Sequence, residues 1–181
     1  MANVTMTMVN RLQPIIQDAT AQLRDLRPLM EEISQILDES VNTNFRNQRS
    51  PYGVDWAPHS PTTTALYAKG GFKGRTRGGL GERRLLVRTG ALIGGIVAKY
   101  TSDTAHVSVS GRAVKYGYVH QFGNPANRLP NVRPGKSRSN AAPIPARPFM
   151  PITPEGVTNL PEEVLAEIKD AAAAFFSEFR G

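Results

Sequence analysis

The sequence predicts an α+β domain: a long N-terminal helix with an interruption at Pro28, a small antiparallel sheet carrying long Gly- and Pro-rich loops, and a C-terminal helix. Three observations carry this prediction. Apolar residues recur at spacings of three and four through residues 10–48. Two short stretches, GGIVAKYTS and AHVSVSG, alternate apolar and polar positions. A second stripe of helical period runs from Pro161 to Arg180. With 181 residues the chain suits one domain able to bury a core, and 16 Gly with 14 Pro indicate extensive irregular segments.

The first element is residues 1–48, read as helical. Leu12, Ile16, Ala19, Leu23, Leu26, Met30, Ile33, Leu37, Val41 and Phe45 form one stripe. Pro28 lacks the amide a helix interior needs, so the stripe is either kinked there or divided into two helices, with Pro28 in the first turn of the second. Asp18, Asp25, Glu31, Glu32, Asp38 and Glu39 mark the opposite, acidic face. Packing against the protein's own sheet is the expected fate of the stripe; about four heptads also permit a coiled coil.

Residues 49–84 read as an extended basic loop. Trp56, the only tryptophan, is expected to anchor it to the body, because an indole gains most from burial with its N–H paired. KGGFKGRTRGGLGERR lacks the GxxxxGK[ST] order of a phosphate loop and follows no strand. Residues 85–153 hold the sheet core. Thr89-Gly90 marks a turn or a helix start, and residues 102–104 turn the hairpin with Val107 and Val109 inward. VKYGYVHQFG suits a strand or a short helix ending at Gly123, and residues 124–145 read as a long loop. The closing helix, within 158–180, has Pro161 at its start, Glu162 and Glu163 at its positive end, and Val164, Leu165, Ile168, Ala172, Phe175 and Phe179 as its apolar stripe.

Residue chemistry excludes most enzymatic readings. With no cysteine there is no disulfide framework and no thiolate nucleophile. His59, His106 and His120 lie in unrelated contexts, none with another ligand at metal spacing. No GxSxG elbow and no carboxylate pair is present. His120 is expected to be a structural hydrogen-bonding group among Tyr116, Tyr118 and Phe122 rather than a base. Nor is there an apolar run of membrane-spanning length, or a secretory pattern at the N-terminus.

Charge is unevenly placed. No Asp or Glu lies between Asp103 and Glu155, whereas Arg112, Lys115, Arg128, Arg133, Lys136, Arg138 and Arg147 do. Elsewhere fifteen Lys and Arg balance fifteen Asp and Glu, so the whole net charge of +7 resides in this window. Such a window is suited to an acidic protein surface or to nucleic acid. The segment 123–147 is accordingly read as a docking arm. Arg128, Arg133, Lys136, Arg138, Arg147 and Phe149 are its candidate contacts, with Arg147 forking onto a partner carboxylate and Phe149 filling an apolar slot. The competing reading makes Phe149 ordinary core.

The succession NFRNQRSPYGVDWAP, LLVRTGALIGGI, AHVSVSG, YGYVHQFG and IPARPFMPIT resembles the virion morphogenesis, or tail completion, proteins of Mu-like long-tailed phages. Pro51, Gly53, Trp56, Leu86, Thr89, Gly90, Leu92, Tyr118, His120, Gln121, Phe122, Gly123 and the run from Pro145 to Phe149 carry the likeness, which spans about residues 40–153. The resemblance implies a non-enzymatic structural protein of the virion, assembled in the host cytoplasm and sited at the head–tail junction. It implies no cofactor, a self-assembled ring, most simply a hexamer, and contacts with the tail tube protein and a head-side connector. DNA in the channel is a further candidate partner. In this reading Trp56, Thr89, Gly90, Tyr118, His120, Phe122 and Gly123 are structural. The alternative function is a nucleic-acid-binding module using the basic 112–147 segment, with Tyr116, Tyr118 and Phe122 stacking on bases.

Overall fold

The computed structural model describes residues 5–7, 25–69, 84–87, 89–124 and 143–177. Helix α1, Arg27–Asn47, opens with Pro28 in its first turn, where the missing amide costs no hydrogen bond. Asp25 Oδ1 accepts from Arg27 N at 2.9 Å just ahead of it. The helix begins at Arg27 with Pro28 in its first turn, and the choice between a kink and a separate preceding helix lies outside the described residues. The earlier part of the stripe, Leu12 to Leu23, lies outside the described residues. Leu29, Ile33, Leu37, Val41 and Phe45 are each at most 1% exposed. At roughly 1.5–3 kcal/mol per buried side chain, this stripe is a large stabilising surface. Gln48 ends the helix in the left-handed region at φ 53°, its own N–H bonded to Asn44 O. The Gln48 side chain then accepts from Leu85 N at 2.9 Å, which ties the next part of the chain to the helix end.

Strands β2 (Ile96–Tyr100) and β3 (Ala105–Val109) form the expected hairpin, with Ile96 opposite Val109 and Tyr100 opposite Ala105. Thr101 N donates to Thr104 O to close the turn. Ala105, Val107 and Val109 are buried, and His106 and Ser108 are less so, as the period-two pattern requires. A third strand, β1 (Thr5–Thr7), lies antiparallel on the other edge of β3, giving the order β1-β3-β2. This strand falls within the part of the sequence read as helical. The closing helix, α4 (Glu162–Ser177), packs on α1, and α1 in turn covers β2 and β3. The result is an α+β fold with helices on one face of a small sheet. Val164, Ile168 and Ala171 form the buried part of α4, while Phe179 lies outside the described residues.

Two short helices complete the body. Helix α2, Pro61–Ala68, lies inside the stretch expected to be an extended loop. Ser60 caps it by accepting from Thr63 N, and Pro61 presets its first turn, a local signal outweighed in the sequence by the absence of an apolar stripe. Helix α3, Val114–Phe122, resolves the strand-or-helix alternative and ends at Gly123. Among the described residues no helix is long and apolar enough to cross a membrane, and no group of His, Asp or Glu could hold a metal ion.

Candidate functional site

The motif residues converge on one place, the junction between α3 and the strap at 143–151. Gln121, 2% exposed at the end of α3, supplies the centre of it. Its Oε1 accepts from Phe149 N at 3.0 Å and Met150 N at 3.1 Å, and its Nε2 donates to Met150 O at 2.7 Å. The strap thus has its backbone groups satisfied by a side chain, as a strand would by a neighbour. Asn44 Nδ2 donates to Phe149 O at 3.1 Å, Trp56 Nε1 donates to Pro148 O at 2.7 Å, and Arg147 N donates to His120 O at 2.7 Å. Phe45 stands edge-on to Trp56 at 5.4 Å and tilted to Phe149 at 5.3 Å. Trp56 is therefore the expected anchor, buried with its N–H paired.

Gly123 makes the crossing physically feasible. Its φ is 76°, and a Cβ there would stand 2.9 Å from Ala146 N and 3.1 Å from Ile144 O. Both the backbone conformation and the close approach demand glycine. Next to it, Asn124 and Ile144 exchange backbone hydrogen bonds of 2.8 and 3.0 Å. Thr89 and Gly90 form a turn: Thr89 Oγ1 accepts from Ala91 N, Gly90 takes φ 69°, and Leu92 beyond it is 3% exposed. Tyr118 and Phe122 pack together at 4.9 Å on α3.

Two expected contact residues are turned inward. Phe149, placed by sequence in a partner's slot, is 0% exposed between Phe45 and Met150, because the strap lays its aromatic ring into the subunit's own core. Arg147, expected to fork onto a partner carboxylate, is 8% exposed and forks instead onto two backbone carbonyls. Its Nε donates to Ala57 O and its Nη2 to Pro58 O, each at 2.8 Å. The docking arm consequently loses both ends, since 123–124 and 143–147 belong to the body. Arg128, Arg133, Lys136 and Arg138 lie outside the described residues.

Beside the strap lies a cleft of about 1080 Å³. Its walls include Pro58, His59 and Ser60 ahead of α2, Leu85 and Leu92, Arg112, Tyr116 and His120, and Ile144 and Arg147 of the strap. The lining contains four groups able to carry positive charge, Arg112, Arg147, His59 and His120, and no carboxylate. The ring of His120 stands edge-on to Tyr116, and its buried Nδ1 has no hydrogen-bond partner among the described residues. Burial first, and then the neighbouring Arg147 charge, hold its pKa below the ordinary histidine value. Burial likewise lowers the pKa of Arg147. Among the residues lining the cleft there is no acid to orient the imidazole. Sequence reasoning missed Gln121 and Asn44 as structural centres. Their signal was a polar residue at a position the stripe would bury, Asn44 three residues after Val41 and Gln121 beside Val119 and Phe122.

A family model for the phage virion morphogenesis family matches residues 7–169. The chain belongs to that family. No curated protein and no solved structure matches it. Membership in the virion morphogenesis family ties the protein to the building of a phage particle. Every motif by which the sequence resembles that family has a place in the matched span. In this member, the P-A-R-P-F run and the H-Q-F-G run are two halves of one internal latch.

Proposed function

We propose that this protein is a non-enzymatic subunit of the phage head–tail junction, a tail completion or terminator ring that caps the tail tube and joins it to the head-side connector. The observation that supports it most is the family match across most of the chain. Charge placement supports the ring. Exposed acids line the two packed helices, Glu31, Glu32 and Glu39 on α1 and Glu162, Glu163, Glu167 and Asp170 on α4. The surplus cations lie in the acid-free window from residue 104 to 154. A cyclic assembly needs two different, complementary faces on each subunit, and this segregation supplies them. A hexamer is the proposed copy number, with the tail tube protein on one side and the connector on the other.

Cryo-electron microscopy of purified particles, with subunit counting by quantitative mass spectrometry, tests the proposal. Multiple copies in a ring at the tail's head-proximal end are expected; a single copy, or density elsewhere, overturns it. The same cation-rich window also suits nucleic acid in the channel. That second reading requires DNA affinity falling steeply with added salt, by a slope set by the number of phosphates contacted.

A further inference from the structure

The cleft beside the strap presents an electrostatic imbalance that the latch does not explain. Arg147 is buried yet forms no ion pair among the described residues; its protein partners are neutral carbonyls. Buried charge is costly unless compensated by an opposite one. Arg112, exposed on the rim, has no bonded partner there either. His120 Nδ1 is a polar atom shut from solvent with its hydrogen-bonding capacity unused. A buried polar group without a partner is rare in a native protein and calls for one. The described residues that line the cleft include no Asp or Glu to supply it.

We infer that the cleft receives a carboxylate side chain from an acidic, partly apolar segment of a neighbouring virion protein. The identity of that neighbour rests on the proposed head–tail role, but the recognition itself does not. Arg112 and Arg147 compensate the carboxylate's charge, and His120 gains the partner it lacks. Leu85, Leu92 and Ile144 take the flanking apolar side chains. This mixed lining favours a peptide over nucleic acid. A phosphate-tracking groove uses rows of exposed cations, whereas here one guanidinium is exposed and another is deep between proline and leucine walls.

The test is fluorescence anisotropy with the full-length protein and a labelled peptide, acetyl-Glu-Leu-Glu-Glu-Leu-Glu-amide. Its all-Gln counterpart and an oligothymidylate serve as competitors. The acidic peptide should bind and the Gln peptide should compete poorly. Arg112→Ser, at an exposed position, should weaken binding roughly tenfold at low salt with an unchanged circular dichroism spectrum. His120→Leu should weaken it several-fold, and His120→Asn, which keeps a donor near the Nδ1 position, should restore most of the loss. Absence of peptide binding, or equal binding by Arg112→Ser, overturns the inference. Stronger competition by oligothymidylate than by unlabelled peptide also overturns it, in favour of a nucleic-acid surface. Because the assay uses the free protein, its outcome is independent of ring counting in particles: either idea can fail while the other stands.

Discussion

The latch and the cleft share residues His120 and Arg147 but treat polar groups in opposite ways. On the latch side, Gln121, Asn44, Trp56 and Arg147 each pair with a backbone group of a distant segment, and buried Phe149 locks against Phe45. On the cleft side, a guanidinium lacks an anion and an imidazole nitrogen lacks any partner among the described residues. Satisfied groups hold a fold; unsatisfied ones are where a neighbour can add something. The contrast teaches that the family's most recognisable residues need not be its contact residues. Here they build the frame beside the proposed contact surface.

The largest break in that contrast should come from Phe149→Ala. Removing a fully buried ring from the centre of the latch should cost about 3–5 kcal/mol, read as a lower denaturant midpoint. Gln121→Leu comes next. It leaves Phe149 N and Met150 N without partners, Met150 O keeping the bond from Ile152 N, and urea titration should show a loss of about 2–3 kcal/mol. Gly123→Ala should cost about 2 kcal/mol, through a left-handed backbone and a collision with the strap, and calorimetry would register it as a lowered Tm. If instead Gly123→Ala were neutral, the close crossing of α3 and strap would be wrong.

The smallest effect sharpens the cleft side. His120 has a folded-state pKa below that of the unfolded chain, so the unfolded state binds the extra proton. The stability associated with neutral His120 is therefore present above the ordinary histidine pKa. It is lost as pH falls through that value toward the lower folded one. Urea midpoints measured between pH 7.5 and pH 5 should decline in the wild type, and His120→Asn should flatten that part of the profile. An unchanged slope in the variant would place the titration on another residue.

How much of this was legible follows from what each element depends on. The stripe of α1 and the β2–β3 hairpin are written in local periodicity, so their buried residues could be read directly, from Leu26 to Phe45 and at Val107 and Val109. Trp56 was legible as an anchor because its size leaves few alternatives. Arg147 and Phe149 were assigned outward because their residue types suit interfaces. Their actual positions depend on Gln121 and Asn44, which meet the strap across 28 and 105 residues of sequence. No local pattern encodes such a meeting. Helix α2 was missed for the opposite reason: it has no buried residues to impose a period, and only its Ser60-Pro61 start betrays it.

The backbone exchange between Asn124 and Ile144 has a consequence for how such proteins diversify. It ties two residues far apart in sequence to each other beside Gly123. For a chain joining two fixed points, doubling its length costs only about 0.6 kcal/mol. Variation in the number of residues between these two positions is therefore compatible with the frame where both ends of the exchange are kept. Members of the virion morphogenesis family are expected to differ in sequence length between these two positions.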